Sequence, residues 1–131
     1  MNYKKLVHAA RIAKQHSYSP YSKFRVGAAL LTASGKVFSG CNIESSSFSL
    51  TICAERTAIF KALSEGRHRF KAMAISSDLE EFISPCGACR QVILDLAGNI
   101  DIILSNKHGK TTMTKANALL PLPFTGDSLP K

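Results

Sequence analysis

Between residues 3 and 13 apolar side chains return at Tyr3, Leu6, Val7, Ala10 and Ala13, while Lys4, Lys5, His8 and Arg11 fall largely off that stripe. The helical period predicts an amphipathic helix from Tyr3 to about Gln15. Ser17 to Ser22, with Pro20, reads as a loop. Val26 to Thr32 and Lys36 to Cys41 read as two strands, and Ala33-Ser34-Gly35 has the composition of the short turn that would join them. Cys41 to Leu50 is polar and serine-rich, which predicts a loop.

A second helix is expected from Cys53 to Glu65, with Ala54, Ala58, Ile59, Ala62 and Leu63 as its buried stripe and Gly66 as its stop. Lys71 to Ser77 reads as a third strand. Ser84-Pro85 breaks the chain before a third helix, from about Cys86 to Ala97, closed by Gly98. Ile100 to Ser105 is an apolar run of the fully buried strand type. Asn106 to Lys110 reads as a turn, Thr111 to Thr114 as a short strand, and Lys115 to Leu120 as a short helix ended by Pro121, with an irregular tail from Leu122 to Lys131. Strands alternating with helices predict an α/β domain whose sheet is covered by helices. No internal repeat or linker divides residues 1–131, so one domain is expected.

Composition narrows the function classes. The chain has 131 residues, 45% of them hydrophobic, which suits one soluble core. No apolar run approaches the roughly 18 residues of a membrane span. Arg11, Lys14 and two histidines interrupt any secretory core, so a cytoplasmic location is expected. The net charge is +8, and seven lysines and arginines precede the first acidic residue, Glu44. The basic residues are scattered and lack an aromatic stacking platform, which favours a solvated basic face over nucleic-acid binding.

In a reducing compartment the four cysteines point to metal or catalysis rather than disulfides. Cys53-Ala54-Glu55 and Pro85-Cys86-Gly87-Ala88-Cys89 offer three thiols and a nearby carboxylate. Three protein ligands leave a tetrahedral zinc one open position, as in catalytic sites. Each of these three cysteines stands at the predicted start of a helix, where the helix dipole favours thiolate. Glu55 is placed to carry protons for a metal-activated water. Three thiolates overcompensate a zinc dication by one charge, and Arg56 is the candidate to offset it. A closed four-cysteine site using Cys41 would leave Glu55 without a purpose. A thioredoxin-like Cys86–Cys89 pair would leave both Cys53 and Glu55 without one.

These motifs fit the zinc nucleobase deaminase signature. With Tyr18 to Phe24, Val26 to Leu31, Gly40-Cys41-Asn42-Ile43-Glu44, Cys53 to Ala58 and Ser84 to Val92, the chain resembles the small homotetrameric cytidine deaminases from about residue 3 to the tail. The resemblance implies a three-layer α/β/α sandwich with a five-stranded mixed sheet, and hydrolysis of cytidine and deoxycytidine to their uracil counterparts and ammonia. It implies one zinc per subunit on Cys53, Cys86 and Cys89, with Glu55 as proton shuttle. Phe24 would pack on the base, Asn42 and Glu44 would bind ribose, and the Ser84 carbonyl would accept from the amino group. Ala54 joins these substrate-binding residues, and Phe124 looks like an aromatic that reaches a neighbouring subunit's site.

The partners implied are a small nucleoside and three further copies of the chain, with no membrane. A carboxylate at Glu44 would accept from sugar hydroxyls and repel a phosphate, which favours a free nucleoside. Two departures stand out: Ser45-Ser46-Ser47-Phe48 replaces a run that often ends in tyrosine, and Arg25 replaces an uncharged residue. The rivals are a deaminase of a cytosine antibiotic such as blasticidin S and, more remotely, a basic zinc-stabilised nucleic-acid-binding module.

Overall fold

A computed structural model describes residues 2–130. The elements are α1 (Lys4–Lys14), β1 (Val26–Thr32), β2 (Val37–Cys41), α2 (Ala54–Ser64), β3 (Phe70–Ser77), α3 (Gly87–Val92), β4 (Asp101–Ser105), β5 (Thr111–Lys115) and α4 (Ala116–Leu119). The strands form one five-stranded sheet in the order β2-β1-β3-β4-β5. β1 pairs antiparallel with both β2 and β3, β3 and β4 run parallel, and β5 returns antiparallel on β4. The parallel pair needs a crossover, and α3 lies within it.

Alternation along the strands builds two separate cores. Leu6 and Ala10 of α1 pack with Ala29, Ala72, Ala74 and Ile103 on one face of the sheet. Leu30, Met73, Ile75, Ile102 and Leu104 pack on the other face, with Ala54, Ala58, Ile59 and Ala62 of α2 and Ile93 beyond α3. This is the three-layer α/β/α sandwich with a five-stranded mixed sheet that the family resemblance implies. Leu30, Ile59, Met73, Ile93 and Ile102 are wholly excluded from solvent, each contributing about 1.5–3 kcal/mol of burial.

Two glycines set the layer spacing. A Cβ on Gly27 would stand 2.1 Å from the Ala10 carbonyl oxygen, so a side chain there is incompatible with α1 lying on the sheet. On the opposite face, a Cβ on Gly40 would be 2.7 Å from the Ala58 nitrogen and 2.8 Å from the Ala54 oxygen. The start of α2 therefore rests directly on β2.

The predicted stripe of α1 is its buried face, which also includes Lys14. Beyond Val92 the third helix departs from expectation. It widens into a π-turn over Ile93–Ala97, in which the Gly98 N–H donates to the Ile93 carbonyl, and Gly98 ends it at φ 90°. The predicted loop from Cys41 to Leu50 is also more ordered than its composition indicates. Ile43 bridges to both Tyr18 and Ile52, and Phe48–Leu50 forms a short 3-10 turn.

Where β1 begins and β3 ends, Asp78 receives two cations. Arg25 Nε lies 2.7 Å from its Oδ2, and Lys14 Nζ lies 2.9 Å from its Oδ1. Lys14 is buried, so the carboxylate compensates an ammonium that has little water around it. The hydrogen bond from Arg25, reinforced by Lys14, holds the Asp78 carboxyl below the ordinary aspartate range. Its contribution is complete above about pH 5, where an unfolded aspartate is also ionised, and is lost as pH falls through the depressed folded value. Asp78→Asn is expected to lower the urea midpoint at pH 7 and to flatten the acid side of the stability profile. Parallel acid limbs in variant and parent would contradict this.

Candidate active site

Two helix starts converge beside the C-terminal end of β3. Cys53 is the N-cap of α2, Cys86 is the N-cap of α3, and Cys89 follows in the first turn of α3. Neither cap is made by the cysteine side chain, so the sulfur atoms are not committed to backbone N–H groups. The three Sγ atoms lie within 4.8 Å of one another. Thr57 Oγ1 bonds to the Cys41 carbonyl at 3.2 Å and the Cys53 carbonyl at 3.1 Å, tying the start of α2 to the end of β2. That tie and the close approach at Gly40 fix where Cys53 stands.

The electrostatics favour thiolate at Cys53. A hydrogen bond from Cys89, joined by one from Arg56, holds the Cys53 thiol down at about 5. The reciprocal of that bond, with burial, pushes the Cys89 thiol up. Arg56 Nη2 lies 3.3 Å from Cys53 Sγ, while Arg56 Nε is buried with no hydrogen-bond partner. The guanidinium thus keeps a buried donor that no acceptor among the described residues fills, beside the sulfur cluster. Glu55 is 5% exposed, and burial pushes its carboxyl up to about 7.

These groups open onto a cavity of about 260 Å³ lined by Phe24, Asn42, Cys53, Ala54, Glu55, Ser84 and Cys86. Its mostly apolar wall is completed by Val26, Thr51, Ile52, Ile75, Ser77, Ile83 and Pro85. A flat apolar ring with a few polar edges matches that lining. Asn42 is held on three sides: its Oδ1 accepts from Val26 N at 3.0 Å and from Ser17 Oγ, and its Nδ2 donates to the Phe24 carbonyl at 2.7 Å.

Glu44 and Phe124 are not among the lining residues. The Glu44 carboxylate instead grips the preceding loop, accepting from Tyr21 N at 3.0 Å, Ser22 N at 3.1 Å and the Ser22 hydroxyl. Ser22 Oγ in turn accepts from Phe24 N at 3.0 Å, so Glu44 and Asn42 together place the Phe24 backbone. Phe124 is 59% exposed, and its carbonyl accepts from Gln91 Nε2. Arg25 is occupied by Asp78, and Phe48 packs edge-on against Tyr21 with ring centroids 5.8 Å apart. The sequence reading missed the second turn of α3, where Arg90 and Gln91 bond to the loop before the helix and to the tail. Its signal, an arginine directly after a ligand cysteine, becomes informative only once its partners are known.

The donor set fits zinc: three soft sulfur donors stand together, one is already disposed to thiolate, and an arginine offsets their charge. Residues 1–104 match the family model described as the cytidine and deoxycytidylate deaminase zinc-binding region. The chain is 48% identical over 130 residues to a cytidine deaminase of Sporosarcina psychrophila, covering 98% of this chain and 96% of that protein. The crystal structure of cytidine deaminase from Burkholderia pseudomallei superposes with a TM-score of 0.91 at 46% identity, covering 95% of this chain and all of that one. A blasticidin-S deaminase of Bacillus cereus is more distant, 35% identical over 112 residues and covering 79% of each chain.

Proposed function

The chain belongs to the cytidine and deoxycytidylate deaminase family with its zinc-binding region, and from that membership and the cavity's chemistry we propose that it hydrolyses cytidine and deoxycytidine to uridine and deoxyuridine with release of ammonia. One observation carries the reading. Three clustered cysteine sulfurs and a buried carboxyl share a cavity with an aromatic ring, an asparagine and the Ser84-Pro85 turn.

Cys53, Cys86 and Cys89 would hold one zinc per subunit. Zinc there supplies a Lewis-acidic position at which water becomes a nucleophile near neutral pH. Arg56 offsets the thiolate charge through its bond to Cys53. Glu55 moves the protons. It takes one from the water that adds to C4 and delivers it to ring N3, then takes the second from the hydroxyl now on C4 and passes it to the amine as the C4–N bond breaks. Phe24 packs on the base, Ala54 borders it, and the Ser84 carbonyl accepts from the amino group. Asn42, in the cavity wall, and Glu44, just behind the loop that carries Phe24, bind the ribose. A ribose hydroxyl reaching Glu44 shares or replaces its contact with the Ser22 hydroxyl.

The exposure of Phe124 supports a place for it in a neighbouring subunit's cavity, within a homotetramer that shares its active sites. No helix among the described residues is long and apolar enough to cross a membrane. A cytoplasmic role in pyrimidine salvage suits a nucleoside substrate.

The substrate class is tested by following the ultraviolet change on cytidine, deoxycytidine, cytosine and blasticidin S with zinc-replete protein. Both nucleosides are expected to react well ahead of the free base and the antibiotic. A preference for blasticidin S would replace this reading with the antibiotic-deaminase one.

A further inference from the structure

We infer that Arg90 is a positioning residue that aims the Ser84 carbonyl at the substrate's amino group and thereby sets discrimination at C4. The inference rests on the deaminase reading above. All three guanidinium nitrogens are engaged, each with a different partner. Nε donates to the Pro85 carbonyl at 2.7 Å, Nη2 to Ser84 Oγ at 2.6 Å, and Nη1 to the Leu119 carbonyl at 3.0 Å. Two of these partners flank the Ser84–Pro85 peptide bond, and the third anchors the fork to the end of α4. The planar fork therefore fixes the orientation of the peptide from both sides.

The chemistry of that peptide gives the orientation a purpose. Ser84 and Pro85 both line the cavity. Proline has no N–H, so the linkage offers the cavity a carbonyl acceptor without a competing backbone donor. An acceptor alone favours a 4-amino group, which donates, over a 4-oxo group, which only accepts. Its value depends on direction, since hydrogen bonds weaken steeply when misaligned. Nothing else among the described contacts holds the Ser84 side chain or the Pro85 carbonyl. A lysine at position 90 would place one point charge where three directed donors now stand, and so could not hold both flanks.

The test compares two ligands that differ only at C4: cytidine, and the ribonucleoside of the same pyrimidinone with hydrogen in place of the amino group. Arg90→Lys, loaded with zinc to the same content as the parent, is expected to lose about 10²-fold in kcat/KM on cytidine. Its inhibition constant for the 4-hydrogen nucleoside should stay close to the parent's, because that ligand has no amino group to aim at. Ser84→Ala removes only the Nη2 contact and keeps the carbonyl. It should shift the same comparison in the same direction by a smaller factor, and it stands in if Arg90→Lys does not fold. Equal losses for both ligands would reduce Arg90 to a structural brace, and no loss on cytidine would overturn the inference outright. A parent protein inert toward cytidine would instead defeat the deaminase reading.

Discussion

Glu55→Gln is expected to retain zinc and fold normally, yet to turn over cytidine about 10²–10⁴-fold more slowly. That corresponds to roughly 3–5 kcal/mol of lost transition-state stabilisation. Glutamine has the same shape, so the packing around this buried position at the start of α2 is preserved. What it lacks is the ability to accept a proton and give it back. The site is built so that this loss is not replaced from elsewhere. Apart from the sulfur ligands, Glu55 is the one titratable side chain among the residues lining the cavity. The measurement is kcat on cytidine beside zinc content by atomic absorption. Near-parental turnover in a zinc-replete Glu55→Gln would remove Glu55 from the mechanism.

The second large effect concerns the metal set. Cys89→Ala should lose zinc stoichiometry and activity together, and added zinc should restore neither at micromolar concentration. Cys89 is fully buried, and its thiol is hydrogen-bonded to that of Cys53. Removing it leaves two sulfur ligands and withdraws the bond that most lowers the Cys53 thiol. Two ligands do not close a zinc site of the catalytic type, which needs three from the protein. Cys41→Ala is the matched control. That cysteine stands at the end of β2, burial pushes its thiol up, and it is outside the cluster. It should keep zinc and activity. If Cys41→Ala lost zinc as fully as Cys89→Ala, a closed four-cysteine centre would be the better description.

Much of this is legible in the sequence. The helical stripe of α1, the turn-bounded strands of the β1–β2 hairpin and the continuous apolar run of β4 each carry a local signal. That signal reports burial directly, because a sheet or helix face must be covered. The metal ligands were legible because two short motifs each place cysteine at a helix start. The pattern fails where partners are distant in sequence. The serine-rich segment after Cys41 has loop composition, yet Ile43 bridges to Tyr18 and Ile52, and no local signal marks those pairings. The family resemblance assigns Glu44 to ribose but gives no sign that its carboxylate also organises the loop that positions Phe24. Arg90 gave no warning, since its three acceptors come from two segments that only the folded chain brings together. The π-turn after Val92 is equally invisible to a period count, because the apolar spacing of Ile93, Leu94 and Ala97 fits an ordinary helix as well.

The account stands or falls on whether this cavity adds water across the C4–N bond of cytidine. The most direct measurement is to incubate zinc-replete protein with cytidine in heavy-oxygen water, weighing the product by mass spectrometry and assaying ammonia in parallel. The predicted result is uridine carrying one heavy oxygen, with one ammonia released for each. Cytidine left unchanged by folded, zinc-replete protein, or uridine formed without solvent oxygen, would contradict it.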